Sequence, residues 1–281
     1  MIFFSSVLKE SQRTFCKCLE NTIGKFDIPF SYLNGTCDYW IRDYLPIQIG
    51  ANQFVQFSLT RDYYYQKDRH KWTNPAPICK ALGIDPTIPI YNGKPIYLDG
   101  GNVILNPSRT KAILTEKVFA DNDIPRCILS EILQQVLQVE QVIFIPLDPT
   151  EDSGHADGMV RFVNENTVVA NDYSNADIPQ NFKDRFYGTL QKNGLDVLLV
   201  PYNPVSIKTN GYWSAAGCYI NFLQVGTKVF LPSFEDTIYD KAAILRFDEI
   251  FGAANVIAVP SREVALGGGV LNCISWEIST V

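Results

Sequence analysis

Four segments crowd polar residues where loops belong: 40–46 (WIRDYLP), 98–102 (LDGGN), 152–162 (DSGHADGMVRF) and 266–276 (LGGGVLNCISW). In the last, three consecutive glycines can take backbone conformations closed to other residues and approach a ligand closely. Cys273 follows four residues after Gly269. Thiolate chemistry pairs a cysteine with an imidazole that keeps the thiol ionised and moves its proton. The chain has only two histidines, His70 and His155. His155 precedes Ala156 and Asp157, and an extended backbone there would point residues 155 and 157 the same way. His70, in KDRHKW, reads as a surface histidine. The carboxylates define the substrate. A guanidinium is planar and permanently charged, and its five N–H donors match carboxylate oxygens in pairs. Asp43 and Asp157 at its two edges would grip it and leave its carbon open to attack. Taken singly, these residues have simpler readings: Cys273 as a buried thiol beside a strand turn, His155 as an exposed loop residue, Asp43 as the ion-pair partner of Arg42.

Together, and in this order, the segments resemble the motifs of the agmatine deiminase and bacterial-type (Porphyromonas-type) peptidylarginine deiminase family of guanidine-modifying enzymes, the pentein superfamily. That family carries WxRDxGP, [DE]GGN, GHxD…RF and a terminal GGGxxHC. Here they stand as Trp40-Ile-Arg42-Asp43-Tyr-Leu-Pro46, Asp99-Gly-Gly-Asn102, Gly154-His155-Ala-Asp157 with Arg161-Phe162, and Gly267-Gly-Gly269-Val-Leu-Asn272-Cys273. A fifth match, Gly217-Cys-Tyr-Ile-Asn221-Phe222, is similar to the family's SYxNF stretch. The resemblance runs from about residue 40 to 276. Two departures stand beside the site: Asn272 where the family usually has His, and Tyr44-Leu45 where Gly commonly precedes the Pro. The chain is also shorter than most agmatine deiminases, which implies trimmed loops around the pocket.

The resemblance implies an α/β fold, a five-bladed propeller of ββαβ units with pseudo-fivefold symmetry, formed as a single catalytic domain over residues 1–281. It implies hydrolytic deimination of a guanidinium, agmatine to N-carbamoylputrescine plus ammonia, through a covalent amidino-cysteine. Cys273 would be the nucleophile and His155 the acid and then the base. Asp43 and Asp157 would hold the guanidinium, and Asp99 would orient His155. Trp40 would pack against the substrate or serve as a core aromatic. Asn221 would hydrogen-bond the substrate or support the Cys273 loop. Arg61 lies where peptide-type members present arginines to a substrate carboxylate, and reads equally as a solvated loop charge. Peptidylarginine or arginine deimination is the nearest alternative. An amidinotransferase would share the first half-reaction, and a non-catalytic binding propeller would lack the full residue set present here. No metal or organic cofactor is implied, because the carbon is already electrophilic and clusters of zinc or iron ligands are missing.

The bulk composition agrees. The net charge of −6 argues against a nucleic-acid surface, which wants clustered Lys and Arg, and suits a small cationic substrate. No stretch approaches the roughly 18 uninterrupted apolar residues a membrane helix needs. The first residues, MIFFSSVLKESQRTF, hold an apolar patch too short for a signal sequence, so a cytoplasmic protein is expected, with a homodimer compatible. Seven cysteines (16, 18, 37, 79, 127, 218 and 273) follow no regular spacing. Cys16 and Cys18 lack a second pair to complete a zinc site. Apart from Cys273, all are expected to be free, buried thiols in a reducing compartment.

The positioning elements are short. Runs at 53–57, 111–119, 141–147, 167–172, 196–202, 228–234 and 255–261 are rich in Val, Ile and Phe and bounded by turn formers, as strands are. Asn-Glu-Asn at 164–166 predicts a hairpin turn. Ser130 is predicted to cap a helix whose Ile132, Leu133, Val136 and Leu137 share a face. Further helices are predicted over 7–22, 178–192 and 237–252, the last closed by Gly252. Three helix-then-strand stretches, 130–146, 178–201 and 237–260, each end near a proline, like units of a repeat. Periodicity alone gives α/β with several short strands.

Overall fold

The computed structural model describes residues 1–60, 63, 66–150, 153–209 and 211–279. Three stretches of the chain follow one plan. Ile104–Leu105 pairs antiparallel with Lys111–Thr115, which pairs parallel with Gln141–Ile145. Val160–Phe162, Thr167–Asn171 and Asp196–Val200 repeat the pattern, and so do Leu223–Val225, Lys228–Ser233 and Val256–Pro260. Parallel neighbours cannot be joined by a tight turn, so each second pair needs a crossover. The helices Arg126–Leu137, Gln180–Lys192 and Thr237–Phe251 supply it. A fourth sheet joins Ser275–Glu277 antiparallel to Ile2–Ser5 and Ile2–Ser5 parallel to Phe30–Leu33, across the helices Ser6–Ser11 and Arg13–Gly24. The antiparallel pair Ile47–Gly50 and Gln53–Val55 makes a fifth unit, with Val55 bridging Thr87 in parallel across the helix Ala76–Ala81. Ile90–Tyr91 with Lys94–Pro95 and Lys208–Thr209 with Tyr212–Trp213 form two further small antiparallel pairs.

Central strands are covered on both faces, which is why they read as unbroken apolar runs and not as alternation. Ala112–Leu114, Val168–Ala170 and Val229–Leu231 are accordingly buried. Each crossover helix presents an i, i+4 stripe to its sheet: Leu129, Leu133 and Leu137; Phe182, Phe186 and Leu190; Ala243 and Phe247. Removing one such ring, as in Phe186→Ala, costs about 3–5 kcal/mol.

Several expectations are corrected. Ser130 is not a cap: the helix starts at Arg126 after Pro125, and Ser130 Oγ donates to the Arg126 carbonyl one turn back at 2.7 Å. A proline has no N–H to leave unsatisfied at a helix start, so the chain turns helical five residues earlier. The strand predicted over 111–119 ends at Thr115, and Lys117–Asp121 is a helix. The predicted 7–22 helix is two, broken at Gln12 (φ −126°, ψ 51°). Gly252 does close its helix, at φ 85°. The thiols are free but not uniformly buried: Cys37 and Cys127 are exposed, and Cys18 and Cys218 are half-buried. Among the described residues, no helix is long and apolar enough to cross a membrane.

Candidate active site

The candidate residues enter the fold at equivalent places, each just ahead of the strand that pairs antiparallel at one edge of its sheet. Asp43 sits in the short helix Ile41–Tyr44 before Ile47–Gly50. Asp99 precedes the 3-10 turn Gly100–Asn102 that leads into Ile104–Leu105. His155 and Asp157 belong to the turn ahead of Val160–Phe162, Asn221 precedes Leu223–Val225, and Cys273 precedes Ser275–Glu277. The backbone is extended at His155 (φ −87°, ψ 146°) but turns 3-10 over Ala156–Gly158. The extended stretch expected there is therefore absent, and the turn itself delivers both side chains.

Asp43, Asp99, His155, Asp157, Asn221 and Cys273 are all buried. His155 Nε2 lies 3.1 Å from Asp99 Oδ2, and its Nδ1 lies 3.5 Å from Asp43 Oδ1. Asp99 is fixed in turn by the Thr60 amide and hydroxyl, both at 2.8 Å. Asp43 Oδ1 accepts from the Gly101 amide at 2.9 Å, and Asp43 Oδ2 accepts from the Tyr63 hydroxyl at 2.5 Å. Arg42, the neighbour that could have neutralised Asp43, binds Glu277 Oε2 at 2.6 Å and the Asn272 carbonyl at 3.3 Å instead. Asp157 Oδ2 accepts from Asn272 Nδ2 at 2.7 Å and from the Cys273 thiol at 3.4 Å. Asn221 Nδ2 donates to Cys273 Sγ at 3.2 Å.

The two glycines of the LDGGN segment are required by close approach. A Cβ on Gly100 would stand 2.1 Å from the Arg42 carbonyl oxygen. One on Gly101 would stand 2.5 Å from Asp43 Oδ1, 2.8 Å from His155 Nδ1 and 3.4 Å from Asp157 Oδ1. Those distances also show that the three side chains meet at one point.

Burial sets the proton affinities. It pushes the Asp43 carboxyl up to about 7; His155 opposes the rise, and Asp157 and Asp99 add to it. Burial disfavours the His155 cation, but Asp43 and Asp99 outweigh it and raise the imidazole to about 10. The Cys273 thiol is pushed well up by burial and by the Asp157 and Asp43 carboxylates, against the Asn221 hydrogen bond. Three carboxylates thus surround one imidazole and one thiol, an arrangement that a planar cation would relieve.

Other predicted residues fall differently. Half-buried Trp40 packs on Tyr39 with ring centroids 4.5 Å apart, and its ring would be 2.6 Å from a Cβ on Gly269, so it flanks the turn that leads to Cys273. Arg61 lies outside the described residues. His70 is exposed, its Nδ1 3.0 Å from the Lys67 carbonyl. The sequence reading missed Thr60 and Tyr63, although both flank Arg61 in the FSLTRDYYY segment. Among the described residues no His, Cys, Asp and Glu group is arranged to hold a metal.

The model of a family described as Porphyromonas-type peptidyl-arginine deiminase matches residues 8–278. The chain belongs to that family. A Vibrio parahaemolyticus relative, provisionally named an agmatine deiminase, is 27% identical over 297 residues, covering 92% of this chain and 79% of that one. Alignments to further curated relatives span 57–58% of those proteins. The fold superposes on an agmatine deiminase of Enterococcus faecalis with a TM-score of 0.76 at 18% identity, covering 100% of this chain and 93% of the other. It also superposes on a cysteine-to-serine variant of the C. jejuni agmatine deiminase with substrate bound, at TM-score 0.75 and 15% identity, covering 98% and 92%.

Proposed function

We propose that this protein hydrolyses a guanidinium group to a ureido group and ammonia, with agmatine as its substrate and N-carbamoylputrescine as its product. The observation that carries this reading is the set of three buried carboxylates around one thiol and one imidazole. Asp43 and Asp157 accept hydrogen bonds from the two edges of the guanidinium. Its positive charge then stands beside the sulfur and reverses the upward shift of the thiol, which loses its proton to water as substrate binds.

The Cys273 thiolate attacks the guanidinium carbon and forms a tetrahedral adduct. His155, held by Asp99 and protonated at neutral pH, gives its proton to one nitrogen, which leaves as ammonia. The resulting amidino-cysteine is a cation. Neutral His155 takes a proton from water as that water attacks the same carbon. The C–S bond then breaks and regenerates the thiolate, and the hydroxyl proton departs to solvent. One water is consumed and, in total, one ammonium is released. Trp40, beside the Gly269 turn, borders the path of the substrate chain. The five sheet units are the blades of a five-bladed propeller forming one catalytic domain, which accounts for five site segments entering at equivalent places.

The family description favours a second reading, with peptidyl arginine as substrate and Arg61 receiving its carboxylate. Against it stands the surplus of carboxylates in a small, buried site, which suits a compact dication better than a peptide carrying its own anion. The test is a panel of agmatine, arginine, C-terminal arginine peptides and other guanidino compounds, with colorimetric detection of the ureido product and of ammonia. Fastest turnover of agmatine without an amine acceptor supports the proposal. Faster turnover of arginine peptides reverses the substrate assignment, and product only with an added amine makes the enzyme an amidinotransferase.

A further inference from the structure

Behind the catalytic layer lies a cavity of about 300 Å³ that none of Asp43, Asp99, His155, Asp157 or Cys273 lines. Sequence neighbours part here: Asp43 meets His155 in the candidate active site, while Arg42 lines this cavity. Among the described residues, three arginines, Arg42, Arg109 and Arg161, line it with a single carboxylate, Glu277. That carboxylate is committed to Arg42 at 2.6 Å.

The other two arginines have no carboxylate partner among the described residues. Arg161 Nη1 donates to the Phe222 carbonyl at 3.0 Å, and its guanidinium lies 4.7 Å from the centre of the Phe222 ring. Arg109 Nη2 donates to Ser279 Oγ at 2.8 Å. A guanidinium carries five donors, so each retains several for another acceptor. Burial and the neighbouring charge of Arg42 pull Arg161 down to about 10, against the opposing attraction of Glu277 and Asp157. Arg109 is held by its backbone as well as by Ser279. It occupies the left-handed region at φ 56°, in a turn closed by its own amide on the Asn106 carbonyl at 2.9 Å. That turn places on the cavity wall a side chain that would ordinarily extend into solvent.

We propose that this cavity is a binding site for a small oxyanion, a phosphate or a carboxylate, clamped between Arg109 and Arg161. The volume corresponds to roughly ten waters, ample for either group. Planar, paired donors are what such anions bind best. The site also touches the chemistry indirectly, since Arg42 Nε donates to the Asn272 carbonyl and the Asn272 side chain holds Asp157.

The test is isothermal titration calorimetry on the full chain in low-salt buffer, with inorganic phosphate, acetate, and sodium chloride as an ionic-strength control. Saturable one-to-one binding of phosphate or acetate is expected, and the tighter of the two names the source. Arg109→Gln and Arg161→Lys should each weaken that binding at least tenfold, while Arg109→Gln keeps full turnover of guanidino substrate as proof of folding. No saturable heat with either anion overturns the proposal. Equal affinity in the wild type and Arg109→Gln also overturns it, because the anion would then sit elsewhere.

Discussion

Asn221 holds Cys273 at two points: its Nδ2 donates to the sulfur at 3.2 Å, and its Oδ1 accepts from the Cys273 amide at 3.4 Å. The same Oδ1 accepts from the Val270 and Asn272 amides, and the Asn221 carbonyl takes the Asn272 amide as well. One side chain therefore fixes the turn and supplies a donor that favours the thiolate over the thiol.

Asn221→Ala should lower kcat by about a hundredfold, on the order of 3 kcal/mol, the scale of removing one preorganised donor from a developing charge. Asn221→Asp should be worse, since it replaces the donor with another carboxylate beside the sulfur. Alkylation of Cys273 by iodoacetamide separates this role from simple misfolding. Its pH midpoint should rise in both variants, and an unchanged midpoint would refute the assignment.

Much of the frame around that turn was readable in the sequence, because the central strands are buried on both faces and so appear as apolar runs at 111–115, 167–171 and 228–233. The helix starting at Arg126 was misplaced because Ser130 is a good capping residue wherever it stands, whereas Pro125 decides the start through its missing N–H. At the site, local pattern gave residue types but not proximity. Asp43 and Cys273 are 230 positions apart, and only the family motifs grouped them. Tyr63 was missed because its contact with Asp43 arises from tertiary approach across 20 residues.

The proton affinities predict an alkaline enzyme. In the proposed roles, Asp43 must lose its proton, at about 7, before it can hold a cation, and His155 must keep its proton, up to about 10, to expel ammonia. kcat/KM should therefore rise with pH through about 7, level off, and fall above about pH 10, and activity that does not decline below about pH 7 would count against these assignments. Stability follows the same linkage. His155 binds its proton more tightly in the folded protein than at its ordinary value of 6.5, so its contribution is complete below that pH and is lost as pH rises through about 10. His155→Gln should remove that part of the alkaline decline in the urea midpoint.

Asn272 stands where the family usually carries His, and its Nδ2 donates to Asp157 Oδ2 at 2.7 Å. An amide does not titrate, so Asn272 remains a donor to the proposed substrate carboxylate at every pH. Asn272→Asp would exchange the donor for a like charge, and KM for the guanidino substrate should rise about tenfold or more with a smaller change in kcat. Asp157→Asn should likewise act mainly on KM. Activity of either variant within about twofold of wild type would remove Asp157 from the binding set.

One sensitive position carries no functional group. Gly101 gives its amide to Asp43 Oδ1 at 2.9 Å, and an added Cβ would fall 2.5 Å from that oxygen and 2.8 Å from His155 Nδ1. Both are below any real Cβ contact, and neither partner is a flexible chain end: Asp43 is tied to Tyr63, and His155 to Asp99. Gly101→Ala must therefore push the carboxylate and the imidazole off their positions. A displacement of about 1 Å at reacting groups costs on the order of a hundredfold in rate. Because the clash is confined to the site, the thermal midpoint should fall by only a few degrees while turnover falls by at least that factor. The comparison is Gly24→Ala, where an added Cβ meets nothing within 4 Å and both quantities should stay near wild type. Wild-type turnover in Gly101→Ala would mean that Asp43 and His155 do not meet over Gly101 during the reaction, and the proposed roles of both would fall with it.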